Sequence, residues 1–271
     1  MTALRVDAPF IGYAGAAPAL RDVRFEMEYG ECIALLGGNG AGKTAMLRYI
    51  AGLLPRAGGR CTLEGREIRS ARDAVALGVG LVVQEPDDQL LGDTVRDDAE
   101  FGPHNLGLSN SECAQRVDQA LAWVGLLELA TREIESLSLG ERKRASLAGV
   151  LAMRPRVLLL DEPTAGLDPQ GERAICEILN QLRRAGCALL VATHAVDLIP
   201  YFASRVLVLG AGTIRADGAC REILLNAELL EASRVRRPWA LELWARLLAP
   251  HVPTPTLSLE EVLSCWTTES F

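Results

Sequence analysis

Gly37-Gly38-Asn39-Gly40-Ala41-Gly42-Lys43-Thr44 fits the pattern G-x-x-x-x-G-K-[ST]. Glycines let consecutive backbone N–H groups curl around phosphate oxygens with no Cβ in the way. A helix opening at Lys43 would add its positive N-terminal end. The Lys43 ammonium would meet the β- and γ-phosphates, and the Thr44 hydroxyl would ligate Mg2+. The plain alternative is a glycine turn between strand and helix. Its placement after the apolar run Glu31–Leu36 and before a helical pattern favours the phosphate reading. A second cluster closes the aliphatic run Val157–Leu160 with Asp161-Glu162. In a parallel sheet, ligands sit beyond the C-terminal ends of the strands. Asp161 would then meet the Mg2+ held by Thr44, and Glu162 would orient or deprotonate an attacking water. A solvated polar strand end is the alternative; the co-occurrence of both clusters favours chemistry.

The surrounding pattern supplies elements to position these groups. Val23, Phe25 and Met27 alternate with Arg24 and Glu26, so the first thirty residues read as antiparallel strands. Glu31–Leu36, the glycine loop and a helix over Lys43–Leu53 open a βαβ unit. From about residue 88 to 154 the chain is mainly helical. Cys113, Val117, Leu121 and Val124 form one stripe of Ser111–Val124, which Gly125 stops, and Gly140–Met153 forms a second helix. Val157–Leu160 and Ala188–Thr193 read as strands covered on both faces, with a helix over Gly171–Arg184 between them. Val206–Leu209 and Thr213–Ala216 form a hairpin. In the tail, Pro238–Ala249 reads as a helix. Pro250, Pro253 and Pro255 stiffen a linker, and Ser258-Leu259-Glu260-Glu261 is a capping box for a last helix.

Bulk properties exclude several classes. The 271 residues suit one large α/β domain with a subdomain and a tail, and 49% hydrophobic content supplies an aliphatic core. A net charge of −7 argues against nucleic-acid binding. Cys32, Cys61, Cys113, Cys176, Cys187, Cys220 and Cys265 contain no C-x-x-C pair and read as free thiols of a reducing cytosol. Neither a membrane span nor a signal peptide is legible. His104 and His251 stand without other ligands nearby, so neither reads as a metal site.

At this point the residues resemble the ATP-binding cassette family over nearly the whole chain. Leu137-Ser138-Leu139-Gly140-Glu141 resembles its signature L-S-G-G-Q, Gln84 the glutamine that links metal and lytic water to a membrane partner, Ala165-Gly166-Leu167-Asp168 the D-loop, and His194 the switch histidine. Tyr13 resembles the aromatic that stacks on adenine; alone it is equally a strand aromatic. The resemblance implies a P-loop NTPase fold of the α/β class: a RecA-like parallel sheet core, an antiparallel β subdomain, a helical subdomain at about 88–154 and a small helical tail. It divides the chain into an ATPase domain, 1–220, and an extension, 221–271. It implies an ATPase with Glu162, His194 and Gln84 catalytic, and Thr44, Gln84 and Asp161 on Mg2+. ATP would contact Tyr13 and the whole Gly37–Thr44 loop. From the opposite protomer of a dimer would come Ser138, Gly140 and Glu141, with Asp168 at the interface. Leu139 and Glu141 depart from the motif. Leu139 resists positive φ and its side chain could crowd the phosphate, which predicts altered turnover.

Within the family, Gln84–Leu90, Glu100–Pro103, Asn105–Leu108 and Ala148–Pro155 resemble energy-coupling-factor ATPases, most of all the cobalt (or nickel) importer group. That likeness implies a transmembrane scaffold subunit gripped near Gln84–Phe101 and a substrate-capturing membrane subunit. It also implies a second ATPase, with one complete set of catalytic residues favouring a homodimer over a paralogue. The place implied is the cytoplasmic face of the inner membrane. The tail either joins the two ATPases or covers a sheet edge. A vitamin importer shares these features. A DNA-repair cassette is disfavoured by the short stretch between Lys43 and Asp161, and a nucleotide sensor by the intact Glu162 and His194.

Overall fold

The computed structural model describes residues 2–248 and 255–268, the last two and the last four of these stretches by backbone alone. His251, Pro250 and Pro253 lie outside the described residues, and so does the Cys265 side chain.

The N-terminal alternation produces strands β1 (Thr2–Ile11) and β2 (Leu20–Glu28), paired antiparallel. Val23, Phe25 and Met27 are buried, while Arg24 faces out to Asp7 at 3.1 Å. After β3 (Cys32–Leu36) and α1 (Lys43–Ile50), the chain adds β4 (Arg60–Leu63) and β5 (Arg66–Glu67), completing a four-stranded antiparallel sheet in the order β2-β1-β4-β5. Helix α1 stops three residues short of the expected Leu53. Gly52 takes φ +73°, and a Cβ there would lie 2.3 Å from the Ser70 carbonyl carbon, so the chain turns where only glycine fits.

Helix α2 (Ala71–Leu77) leads to β6 (Val79–Val82). Helices α3 (Val95–Asn105), α4 (Asn110–Trp123) and α5 (Leu139–Ala152) then pack on one another. Thr94 and Asp97 form a capping box at α3, Ser109 caps α4, and Gly125 past its end takes φ +70°. The Asp98 carboxylate is buried and accepts the N–H groups of Leu91 and Gly92, fixing the loop that enters α3.

Strand β7 (Val157–Asp161), α6 (Pro169–Arg184), β8 (Ala188–Ala192), the short α7 (Ile199–Phe202), β9 (Arg205–Gly210) and β10 (Thr213–Ala219) complete a six-stranded sheet. Its order is β10-β9-β3-β8-β7-β6, all parallel except β10. Alternate residues of each central strand enter different cores. Ile33, Leu35, Val157, Leu159 and Leu190 pack with α1 and the antiparallel sheet. Ala34, Leu36, Leu158, Leu160 and Val191 pack with α4, α5 and α6. Covering both faces explains the unbroken aliphatic runs, each fully buried Val or Leu contributing about 1.5–3 kcal/mol.

The tail contains α8 (Cys220–Leu225), α9 (Ala227–Ala232), α10 (Trp239–Leu243) and α11 (Leu259–Thr268). The expected Pro238–Ala249 helix is α-helical only to Leu243 and continues as a π-turn over Trp244–Leu248. At α11 the expected capping box is half formed. Ser258 Oγ accepts from Glu261 N–H, but the Glu261 carboxylate takes the Leu257 N–H instead of that of Ser258. The six cysteines with described side chains are free, five of them buried.

Candidate active site

Strands β3, β6, β7 and β8 are parallel, so their C-terminal ends share one edge of the sheet. The glycine loop leaves β3 there, Gln84 follows β6, Asp161-Glu162 ends β7 and His194 follows β8. These groups, with Tyr13, surround a hollow of about 510 Å3 lined by Asn39–Ala45, Gln84, Asp161, Glu162, Ala165 and His194. The loop has the shape of a cradle that only glycine closes. At Gly42, with φ +101°, a Cβ would come within 2.7 Å of Leu20 Cγ. Two loop residues named from sequence lie outside the hollow's lining. Gly37 turns its carbonyl to the Lys43 ammonium at 3.0 Å, and Gly38 N–H donates to the Ser233 carbonyl of the tail at 3.1 Å.

Lys43, Asp161 and Glu162 are buried charges. Lys43 Nζ lies 2.7 Å from His194 Nε2, a contact in which a neutral imidazole accepts, and 4.0 Å from Glu162 Oε1. Burial lowers the pKa of Lys43, opposed by the carboxylates of Glu162 and Asp161. Burial also raises that of Glu162 above the usual carboxylate range, against the pull of the His194 N–H, its ring and Lys43. Glu162 Oε2 accepts the His194 N–H at 3.1 Å, while Oε1 is buried without a hydrogen-bond partner. Glu162 takes φ +48°, a left-handed conformation uncommon outside glycine, with its N–H held by the Ala192 carbonyl at 2.9 Å. A raised pKa and an unspent oxygen suit a proton acceptor.

The Thr44 hydroxyl, Gln84 amide and Asp161 carboxylate are hard oxygen donors on one hollow, a set that suits Mg2+. Tyr13 is 45% exposed at the mouth, and its hydroxyl accepts from Arg48 at 2.9 Å, leaving a ring face for a flat ligand.

Ser138, Gly140, Glu141 and Asp168 do not reach this hollow within one chain. They line a separate one of about 790 Å3, together with Leu139, Gly166 and Trp123. Ser138 caps α5, its N–H and hydroxyl both donating to Glu141 Oε2 at 2.8 Å, while Glu141 N–H returns to Ser138 Oγ. These bonds hold the Glu141 carboxyl below the usual carboxylate range, so it is ionised at the end of the helix. Leu139 opens α5 and is absent from the residues with positive φ, which removes the backbone concern raised from sequence. Its Cδ2 packs over Gly166, 3.1 Å from where a Cβ there would stand. Asp168 caps α6, accepting the Gly171 N–H at 2.7 Å.

Lys143, one turn into α5, gave no signal in the sequence. It reads as one of the basic residues of Arg142-Lys143-Arg144, yet it is 7% exposed and donates to the carbonyls of Gln84 and Glu162, each at 3.0 Å. His104, by contrast, lies 3.6 Å from Glu100 Oε2 in a helical pair. Among the described residues no helix is long and apolar enough to cross a membrane.

Comparison with known proteins bears on the family and the fold. Residues 20–165 match the family model described as ABC transporter. The chain is 41% identical over 238 residues to the energy-coupling factor transporter ATP-binding protein EcfA of Methanothermobacter thermautotrophicus, covering 87% of this chain and 76% of that one. It is 37% identical over 242 residues to EcfA of Methanosphaera stadtmanae, covering 88% and 87%. Among solved structures, CbiO1 of Clostridium perfringens, part of the ABC transporter complex CbiONQ, superposes with TM-score 0.77 at 33% identity, covering 92% of this chain and 97% of that one.

Proposed function

The chain belongs to the ATP-binding cassette family as an ATPase of the energy-coupling-factor type of transporter, and from that premise we propose that it energises import of cobalt ions from the cytoplasmic face of the membrane, as a homodimer with two ATP molecules between protomers. The observation that carries the dimer is the separation of the two hollows. The loop, Gln84, Asp161, Glu162 and His194 line one, while Ser138 and Gly140 line the other. Facing copies would bring the second hollow of each chain to the first hollow of its partner. Residues 1–220 form the ATPase domain in this reading, and 221–271 an extension.

The loop N–H groups and Lys43 hold the phosphates, and Tyr13 stacks on the adenine. Thr44, Gln84 and Asp161 hold Mg2+, which when bound neutralises developing phosphate charge. Glu162 takes the proton of the attacking water, and His194 contacts the γ-phosphate. The partner's Ser138 and Gly140 close over it with the N-terminal end of α5. Exposed Leu91 and Phe101, 69% and 53% accessible, offer apolar purchase within the Gln84–Phe101 segment for a membrane scaffold subunit. Cobalt rests on the resemblance of the Gln84–Pro103 segment and on the likeness to CbiO1.

The test is purification of the tagged chain from membranes of its own host, with measurement of cellular cobalt uptake. The expected result is co-purification of a scaffold and a capture subunit, with uptake lost when Lys43 is replaced. A partner set that imports a vitamin or nickel would overturn the cobalt assignment, and the absence of any membrane protein would overturn the transporter complex.

Glu141 sets a further expectation. Its carboxylate occupies the donors that the partner's γ-phosphate would use. Glu141→Gln removes one negative charge at each of two sites. At about 0.7 kcal/mol each, ATP-driven dimers of a hydrolysis-blocked chain should form at about tenfold lower concentration. Analytical ultracentrifugation reads this directly; unchanged dimerisation would show that the carboxylate swings clear at no cost.

A further inference from the structure

Besides the turn in which its carbonyl accepts the Ala165 N–H at 3.2 Å, three contacts fix the left-handed backbone of Glu162. Its N–H is held by the Ala192 carbonyl and its carboxylate by the His194 N–H, at 2.9 and 3.1 Å, both from the end of β8. The third contact comes from another part of the fold: the Lys143 ammonium of α5 donates to the Glu162 carbonyl at 3.0 Å. The same ammonium donates to the Gln84 carbonyl, also at 3.0 Å. The loop after β6 is tied to α5 a second time. Gln89 Nε2 donates to the Ser146 carbonyl, and Gln89 Oε1 accepts the Val83 N–H, each at 3.0 Å. A cation with three donors, buried under 7% exposure and spending two of them on the carbonyls of two residues that flank the hollow, has little freedom to move without both of them.

We propose that Lys143 is a positioning residue for ATP hydrolysis: it ties the backbone of Glu162 to that of Gln84, so that movement of the Gln84 loop or of α5 moves the water-activating carboxylate. This rests on the reading of Glu162 as the proton acceptor. Lys143 touches neither nucleotide nor water; it acts through two carbonyls. A residue held in a strained conformation stays there only while its surroundings over-determine it. Without the ammonium, one restraint on Glu162 is lost and its carboxylate drifts, whereas the phosphate cradle, built by β3 and α1, keeps its shape.

The experiment compares Lys143→Met, Lys143→Gln and Glu162→Gln in the full chain, purified with the membrane proteins that travel with it. Lys143→Met should lower kcat by about tenfold to a hundredfold, the effect of misplacing a reacting group by roughly 1 Å, with KM for ATP within about twofold. Lys143→Gln retains a donor and should keep more of kcat than Lys143→Met. Amide hydrogen exchange should quicken together in the 83–90 and 161–164 segments. Native kcat in Lys143→Met, equal kcat in the Met and Gln variants, or a KM that rises in step with the fall in kcat would each overturn the proposal. Glu162→Gln separates the two readings. If it keeps turnover, the role of Glu162 has failed; if it loses turnover while Lys143→Met does not, only the role of Lys143 has.

Discussion

Glu162→Gln is expected to lower ATP turnover by about 10²–10⁴-fold, the contribution of a positioned general base. Three features make this residue a candidate for so large an effect. Its Oε1 is buried without a hydrogen-bond partner, 3.5 Å from His194 Nε2 and 4.0 Å from Lys43 Nζ, so one oxygen is available for water. Burial raises its proton affinity, which improves a base whose ordinary value would be too low. Its backbone is held in a left-handed conformation that aims the side chain into the hollow. Glutamine has the same shape and its amide oxygen still accepts the His194 N–H, so the fold is untouched. Nucleotide binding should survive, and ATP should convert the variant into a stable dimer on gel filtration while phosphate release falls. Turnover within threefold of the native chain would sink the role given to this carboxylate.

Lys43→Met should weaken ATP binding by about 10²–10⁴-fold. Two charge-assisted bonds to the β- and γ-phosphates, at about 1.5–3 kcal/mol each, account for a loss of that size. The methionine chain fills the path of the lysine methylenes between the loop and α1, so a folded protein is expected and a circular-dichroism melt checks it. Titration with a fluorescent ATP analogue reads the affinity. A change of less than fivefold would mean that backbone N–H groups alone hold the phosphates.

Much of this arrangement was legible in the sequence because local pattern and global fold agree. The aliphatic runs of β7 and β8 announce strands covered on both faces, and Asp161-Glu162 falls at the strand end where parallel sheets place ligands. What was not legible depends on contacts between distant segments. Lys143 looks like a solvated basic residue until α5 is packed against the loop after β6, when its ammonium becomes the buried link between Gln84 and Glu162. Glu141 looked like a substitute for glutamine, and its return to Ser138 depends on the helix starting at Leu139. That same start places Leu139 in right-handed backbone. The end of α1 escaped because the approach of Ser70 to Gly52 brings together segments that no periodicity connects.

The alternation of residues along the central strands has one more consequence. Leu158 and Leu159 are neighbours on β7, both wholly buried, yet they share no compartment. The sheet is a bulkhead, and side chains on its two sides do not interdigitate. A change of side-chain volume next to α4, α5 and α6 is therefore absorbed in that compartment, while the packing that backs the glycine loop and α1 stays as it was. One strand thereby lets the two fillings be altered separately, and the link across it is the Lys143 ammonium of α5 on the Glu162 carbonyl.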